Sequence, residues 1–369
     1  MEERLVTLTT THYTAAEVLK ARLESAGIEC YLKHVRLIQG DPSEGVQVQI
    51  RSSDVIKALE LMTEWKKLQE DLEQKNIKSI RRILVPVDFS EFSKNACLYA
   101  LDLAYRLKAD LKIFHVYYAP IIDLVPITDA YSIQVDMDIN LREMEMATRK
   151  QLVEFVNEIR EIAQQRGLEK VKVGYSLREG IVEDEISHMA KSYKPGLIVM
   201  GAKGKGEKQS DIIGSVVYKV LDRSRVPVLA IPQHSRYDAS TEVKNVVYAT
   251  DFDDSDYVAI RRLMSIVSEF PVKIYCVHIS RETGKVIDSM RMKSLKEYFH
   301  RINPGIAVEC ILVEGEDTLK KLEEFTAEHK IDLISLVNKK RGLLSRLFKS
   351  GITKKLISQS TTPLLIFRA

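Results

Sequence analysis

The chain carries the same plan twice. Residues 83-ILVPVDFSEFSKNACLYALDLAYRLKADLKIFHVY-117 and 246-VVYATDFDDSDYVAIRRLMSIVSEFPVKIYCVHIS-280 both read as an apolar strand, an Asp-Phe turn, a helix and a second apolar strand. Asp88 matches Asp251 and His115 matches His278 at an offset of 163. Further on, 195-PGLIVMGAKGKG-206 matches 332-DLISLVNKKRGL-343, and Pro227 answers Pro363, at offsets of 137 and 136. The first copy therefore holds about 26 extra residues between its second and third strands.

In the first copy strands are predicted at 82–87, 111–117, 171–177, 196–200 and 226–231, and helices at 91–107, 141–166, 182–193 and 212–223. Strands that are apolar throughout and separated by helices imply a parallel sheet covered on both faces. Right-handed crossovers then give a doubly wound sheet, whose ligands sit beyond the carboxyl ends of its strands. The fold class is α/β, with two tandem doubly wound five-stranded parallel sheets in residues 81–235 and 243–369. Residues 1–65 belong to neither copy and read as a βαββα module, a small α+β domain of ferredoxin-like style. The charged stretch 66–80 reads as a helical linker. The extra residues 118–146 are either a flap over the strand ends or a longer helix with an ordinary loop, and the second is expected.

A net charge of +3 with 29% charged residues gives no reason to expect nucleic-acid binding. The opening MEERLVTLTT lacks the charge and apolar pattern of a signal peptide, and no run is apolar enough for a membrane span. Cys30, Cys97, Cys276 and Cys310 have no CxxC spacing and read as free thiols in a reducing compartment. A soluble cytoplasmic protein is expected.

The stretch 200-MGAKGKGEKQSDIIGSVVYKVL-221 follows an apolar strand and leads into a helix predicted to start near Ile212 or Ile213. Gly201 and Gly204 would let the backbone approach a ligand without a Cβ in the way. Gly214 and Ser215 would fall in the first turn of the helix, where unpaired amides and the dipole favour an anion. Lys203, Lys205 and Lys208 add positive charge. Together these describe a phosphate cradle. It is not a Walker A loop, since GxxxxGK followed by Ser or Thr is absent, nor the dinucleotide fingerprint, which would follow the first strand. Asp88, at the end of that first strand, faces the same crevice; it can hold a ribose hydroxyl, an adenine edge or a metal, or help Ser90 cap the helix at 91–107.

The duplicated part resembles the universal stress protein family, whose ATP-binding members carry G-2x-G-9x-G followed by Ser or Thr. That pattern is met by Gly201, Gly204, Gly214 and Ser215, and the family's first-strand Pro-Val-Asp by Pro86, Val87 and Asp88. The resemblance implies that Asp88 and Val116 meet the adenosine end of ATP. It places the glycine loop, Ser215 and Val216 along the phosphates, counts Met200 and Lys203 among the site residues, and has Mg²⁺ accompany the nucleotide. It also implies that 226-VPVLAIP and 363-PLLIFRA pair the two repeats, and leaves a homodimer of the whole chain open. Residues 1–65 resemble, more weakly, small signal-transducing domains of bacteria.

The second copy departs from the pattern: Asn338 stands for the first glycine, Arg341 for the second and Ile352 for the serine, and only Gly351 remains. One working ATP site is expected, in a nucleotide-responsive regulatory or stress-tolerance protein. The alternatives are a scaffold without nucleotide and a slow ATPase or nucleotidyl-transfer enzyme; no catalytic set is legible. Three other features have plain readings. In 251-DFDDSDY the acids mark a solvated helix N-terminus rather than a calcium loop, 339–355 is a basic amphipathic segment, and His115 and His278 are core or capping residues.

Overall fold

Gly27 closes the first helix of the chain in the left-handed region that its lack of a Cβ permits, at φ 77°. Ile28 then turns back to donate to the Leu23 carbonyl at 2.9 Å. The computed structural model describes residues 5–11, 13–35, 45–62, 65, 79–118, 130–204, 214–232, 243–252, 254–280, 285–338 and 362–368. They divide into two units, Met1–Asn76 and Ile77–Ala369.

The first unit contains β1 (Leu5–Thr11), α1 (Tyr13–Ser25), β2 (Cys30–Val35), β3 (Gly45–Arg51) and, after a tight turn at Ser52–Asp54, α2 (55–62). Its sheet has the order β1-β3-β2 with both pairings antiparallel. The βαβ formed by β1, α1 and β2 is therefore split by β3, which is the ferredoxin-like arrangement. Leu23, Ile28, Val48 and Ile50 form its buried centre.

In the second unit the first repeat runs β4 (Arg82–Val87), α3 (Glu91–Leu107), β5 (Asp110–Tyr117), α4 (Ala130–Gln165), β6 (Val173–Glu179), α5 (Val182–Tyr193), β7 (Leu197–Gly201), α6 (Ser215–Arg223) and β8 (Val228–Ile231). The second runs β9 (Asn245–Ala249), α7 (Asp254–Val267), β10 (Lys273–Ser280), α8 (Lys285–Ile302), β11 (Ala307–Glu314), α9 (Thr318–Glu328), β12 (Leu333–Asn338) and β13 (Leu364–Arg368). Each repeat is a five-stranded parallel sheet, and the two join into one ten-stranded sheet of order β11-β10-β9-β12-β13-β8-β7-β4-β5-β6. One face packs against α3, α4, α7 and α8, the other against α5, α6 and α9. The longer of the two forms expected for 118–146 is seen, since α4 begins at Ala130. Residues 119–129, most of the linker 66–80 and the basic segment 339–355 lie outside the described residues.

The two halves meet by antiparallel pairing of Leu364 with Ala230, Leu365 with Leu229 and Ile366 with Val228. Leu229 and Leu365 are equivalent positions of the two repeats, so a pseudo-twofold axis passes between them, as in an isologous dimer interface. Side chains of the second repeat also close the C-terminal end of α6. Asn338 Nδ2 donates to the Leu221 carbonyl at 3.3 Å and Arg368 to the Arg223 carbonyl at 2.8 Å. Carbonyls there have no partner within the helix. Among the described residues no helix is long and apolar enough to cross a membrane.

Leu365 is fully buried at the seam. Truncation there, Leu365→Ala, should cost about 2–5 kcal/mol of unfolding free energy. Urea denaturation of the full chain measures this, and a loss under about 1 kcal/mol would show that the seam is not part of the cooperative core.

Candidate functional site

The carboxyl end of β4 turns sharply into α3. Phe89 stands at φ 61°, a left-handed conformation that a bulky residue adopts only when its surroundings hold it there. Its ring lies 4.2 Å from that of His115 and meets Phe155 edge-on at 5.7 Å. His115 Nδ1 is 2.7 Å from the Val87 carbonyl, which only accepts, so Nδ1 carries the proton. The second repeat builds the same turn: Phe252 has φ 57°, stacks on His278 at 4.3 Å, and His278 Nδ1 bonds the Thr250 carbonyl at 2.8 Å. Present in both repeats, this device shapes the turn and does not by itself mark a binding site.

Asp88 sits inside that turn, half-buried. Its Oδ1 accepts the Ser90 amide at 3.1 Å and the Ser90 hydroxyl, while Ser90 Oγ accepts the Ser93 amide at 3.3 Å. Ser90 is thus the cap of α3, and Asp88 holds the cap in place.

The glycine loop arrives from the neighbouring strand. A Cβ on Gly201 would lie 3.0 Å from the Phe92 backbone on α3, and a Cβ on Gly204 would lie 2.9 Å from Asp88 Oδ2. The loop therefore rests on the helix start and on the carboxylate itself, closely at Gly201 and at Gly204 nearer than a Cβ tolerates without a shift of Asp88. The Gly214 amide donates to the Ala202 carbonyl at 2.7 Å, clasping the two ends of the loop together.

Gly214 is extended, with φ −63° and ψ 156°, and is the N-cap of α6 rather than part of its first turn. The helix starts at Ser215, later than the sequence predicts, because the clasp fixes Gly214 outside it. Anion-binding amides would come from the first turn that follows. Residues 205–213, with Lys205 and Lys208, lie outside the described residues.

The remaining candidate positions divide between the two faces of the sheet. Val116 and Met200 are buried in one cluster, against which Val216 packs. Pro86 alternates with Leu84 of that cluster along β4 and is buried too. Val87 is buried in the opposite cluster, among α3 and α4, so it contributes its carbonyl to His115 and not its side chain to the crevice. Lys203 is half-buried and Ser215 exposed.

The second repeat differs from the first at the start of α7, on the face of the sheet that carries α3, α4, α7 and α8. Asp256 is 1% exposed and accepts hydrogen bonds from the Tyr248 and Thr250 hydroxyls, each at 2.7 Å. This corrects the solvated reading of 251-DFDDSDY at Asp256, whose carboxylate Tyr248 and Thr250 satisfy inside the protein, while Asp251 is exposed as expected. At the end of β10, the Ser280 hydroxyl donates to Asp288 Oδ2 of α8 at 2.6 Å, and His278 Nε2 lies 3.6 Å from the same oxygen. Asn338, in place of the first glycine, is turned to the α6 carbonyl. Arg341, Gly351 and Ile352 lie outside the described residues.

The family model described as "Universal stress protein family" matches residues 79–232 and 242–368, well over half of the chain. The chain belongs to the universal stress protein family. Its two repeats are two family domains in tandem. Universal stress protein MJ0531 of Methanocaldococcus jannaschii is 26% identical over 151 residues, covering 41% of this chain and 81% of that protein. Universal stress protein YxiE of Bacillus subtilis is 26% identical over 150 residues, with 41% and 97% covered. The crystal structure of a universal stress protein from Archaeoglobus fulgidus shares the fold, with a TM-score of 0.58 and 19% identity over 79% of this chain and 98% of that one.

Sequence reasoning missed Ala202, the far half of the loop clasp, because a backbone acceptor leaves no residue-type signal. It also missed Phe92 as the reason for Gly201, a contact between distant parts of the chain.

Burial lowers the His115 pKa, and the Val87 carbonyl and the Asp88 charge only partly oppose this. The folded protein thus holds His115 neutral, while the unfolded chain takes up a proton near pH ~6.5. Its stabilising contribution is present above that pH and is lost as the pH falls below it. Between about pH 7.5 and 5 the protein should lose more unfolding free energy than the His115→Gln variant does. Equal losses in parallel urea titrations would remove His115 as the cause.

Proposed function

We propose that the first repeat binds ATP and that the protein is a nucleotide-responsive regulatory module. The observation that carries this reading is the contact of Gly204 with Asp88. The glycine loop and the first-strand carboxylate are 116 residues apart in the sequence yet share one crevice at the carboxyl ends of β4 and β7. On this reading the first-turn amides of α6 and the Ser215 hydroxyl hold the phosphates. Asp88 with the buried apolar wall of Val116 and Met200 receives the adenosine end. Mg²⁺, which takes at most one or two carboxylates, would be held chiefly by phosphate and water oxygens. The bound nucleotide supplies charge that would change the surface shown to partners.

The second repeat is read as a partner domain without nucleotide. Asn338, in place of the first glycine of the motif, serves the seam instead. The substitution that opened the glycine motif thus has a structural occupation of its own.

Nucleotide released by denaturing the freshly purified full chain, identified by mass spectrometry, tests the proposal. Close to one ATP per chain is expected, with loss in Gly204→Arg, which drives a side chain against Asp88. Recovery of ADP alone would favour hydrolysis at the same site. No nucleotide, together with no uptake of added ATP, would overturn the reading and leave a scaffold.

A further inference from the structure

The opposite edge of the same sheet holds a cavity of 540 Å³. Three strand-leading turns of the first repeat build it, those before β4, β7 and β8, and α7 of the second repeat closes it with Arg262 and Ser265. Five cations line it: Arg81, Arg82, Lys194, Arg225 and Arg262. Among the described residues that line it there is no carboxylate. Arg82 lies over the Tyr193 ring at 5.4 Å, and Arg262 donates to the Arg225 carbonyl at 3.0 Å. Neither contact neutralises a charge, and burial lowers the Arg262 pKa because its guanidinium is partly desolvated.

Helix dipoles explain part of this. Lys194 and Arg225 stand at and just beyond the C-terminal ends of α5 and α6, where cations are favoured. They do not explain Arg81 and Arg82, which lead a strand, or Arg262, in the interior of α7.

The pseudo-twofold axis supplies a comparison within the molecule. Its counterparts of Arg81, Arg82, Lys194 and Arg262 are Lys244, Asn245, Ile331 and Tyr99, and that of Ser265 is Asp102. The counterpart of Pro195 is Asp332, whose Oδ2 accepts the Lys244 and Asn245 amides at 2.8 Å each. On that side the chain supplies its own anion to the strand starts. On the cavity side the charged residues among the described lining are all cations.

We propose that this cavity binds a small polyanion carrying two or more phosphate groups. Its volume falls in the range of about 300–1,000 Å³ usual for small-molecule sites. Four of the lining residues are arginines, whose planar guanidinium forks suit phosphate oxygens. The site is separate from the glycine loop, since it lies at the amino ends of the strands whose carboxyl ends carry Asp88 and Gly201.

Calorimetric titration of the full chain with inorganic tripolyphosphate at constant ionic strength is the test. A binding event is expected that weakens at least ~10-fold in Arg81→Gln/Arg225→Gln, a change of two exposed side chains. The same event should persist in Gly204→Arg and in Lys170→Gln/Lys293→Gln, which removes equal charge elsewhere. Absence of binding, equal weakening in both double variants, or loss in Gly204→Arg alone would overturn the proposal. The last of these outcomes would assign the polyanion to the glycine loop instead.

Discussion

Val228–Ile231 is buried along its whole length and ends the first repeat, so a lone repeat would present it as an unpaired apolar edge. Pairing with β13 removes the edge from water, and much of the molecule is arranged around that pairing. It brings Asn338 and Arg368 to the carbonyls of α6 and sets Arg262 against Arg225. Because α6 begins at the glycine loop and ends at the seam, the candidate nucleotide site and the contact between repeats share one short helix of nine residues.

That helix gives the proposed response a physical route. Its N-terminal end is clasped through Gly214 to Ala202, and its C-terminal end is held by side chains from the other repeat. A ligand that shifted the first turn of α6 would load the seam directly, with no chain of intermediates. The turn at Asp88 is stiffer, since Phe89 is pinned by His115 and Phe155 and the α3 cap is braced by the carboxylate.

Much of this was legible beforehand, for reasons that differ by element. The parallel halves followed from apolar strands alternating with helices, a pattern that burial on both faces imposes on every residue of a strand. The pairing of β8 with β13 followed from the family resemblance. The start of α6 was misplaced because apolar Ile212 and Ile213 extend the helical period, while a backbone hydrogen bond, invisible to periodicity, decides the boundary. Asp256 was read as solvated because a carboxylate among carboxylates usually is. Only the fold reveals that Tyr248 and Thr250, eight and six residues earlier, turn their hydroxyls onto it. Val87 enters the site through the Pro-Val-Asp resemblance, and its side chain is buried on the face that carries α3 and α4.

Fusion of the repeats has a consequence for how such a molecule can change. In a dimer of identical chains every substitution is made twice, once on each side of the axis. Here Asn338, Arg262 and Tyr99 each occur once, so one side can be tuned while the other keeps its old chemistry. The covalent link also holds the two sides at a fixed ratio and beyond the reach of dilution. A symmetric ancestor could only have strengthened or lost both of its crevices and both of its cavities together; this chain is free to keep one of each.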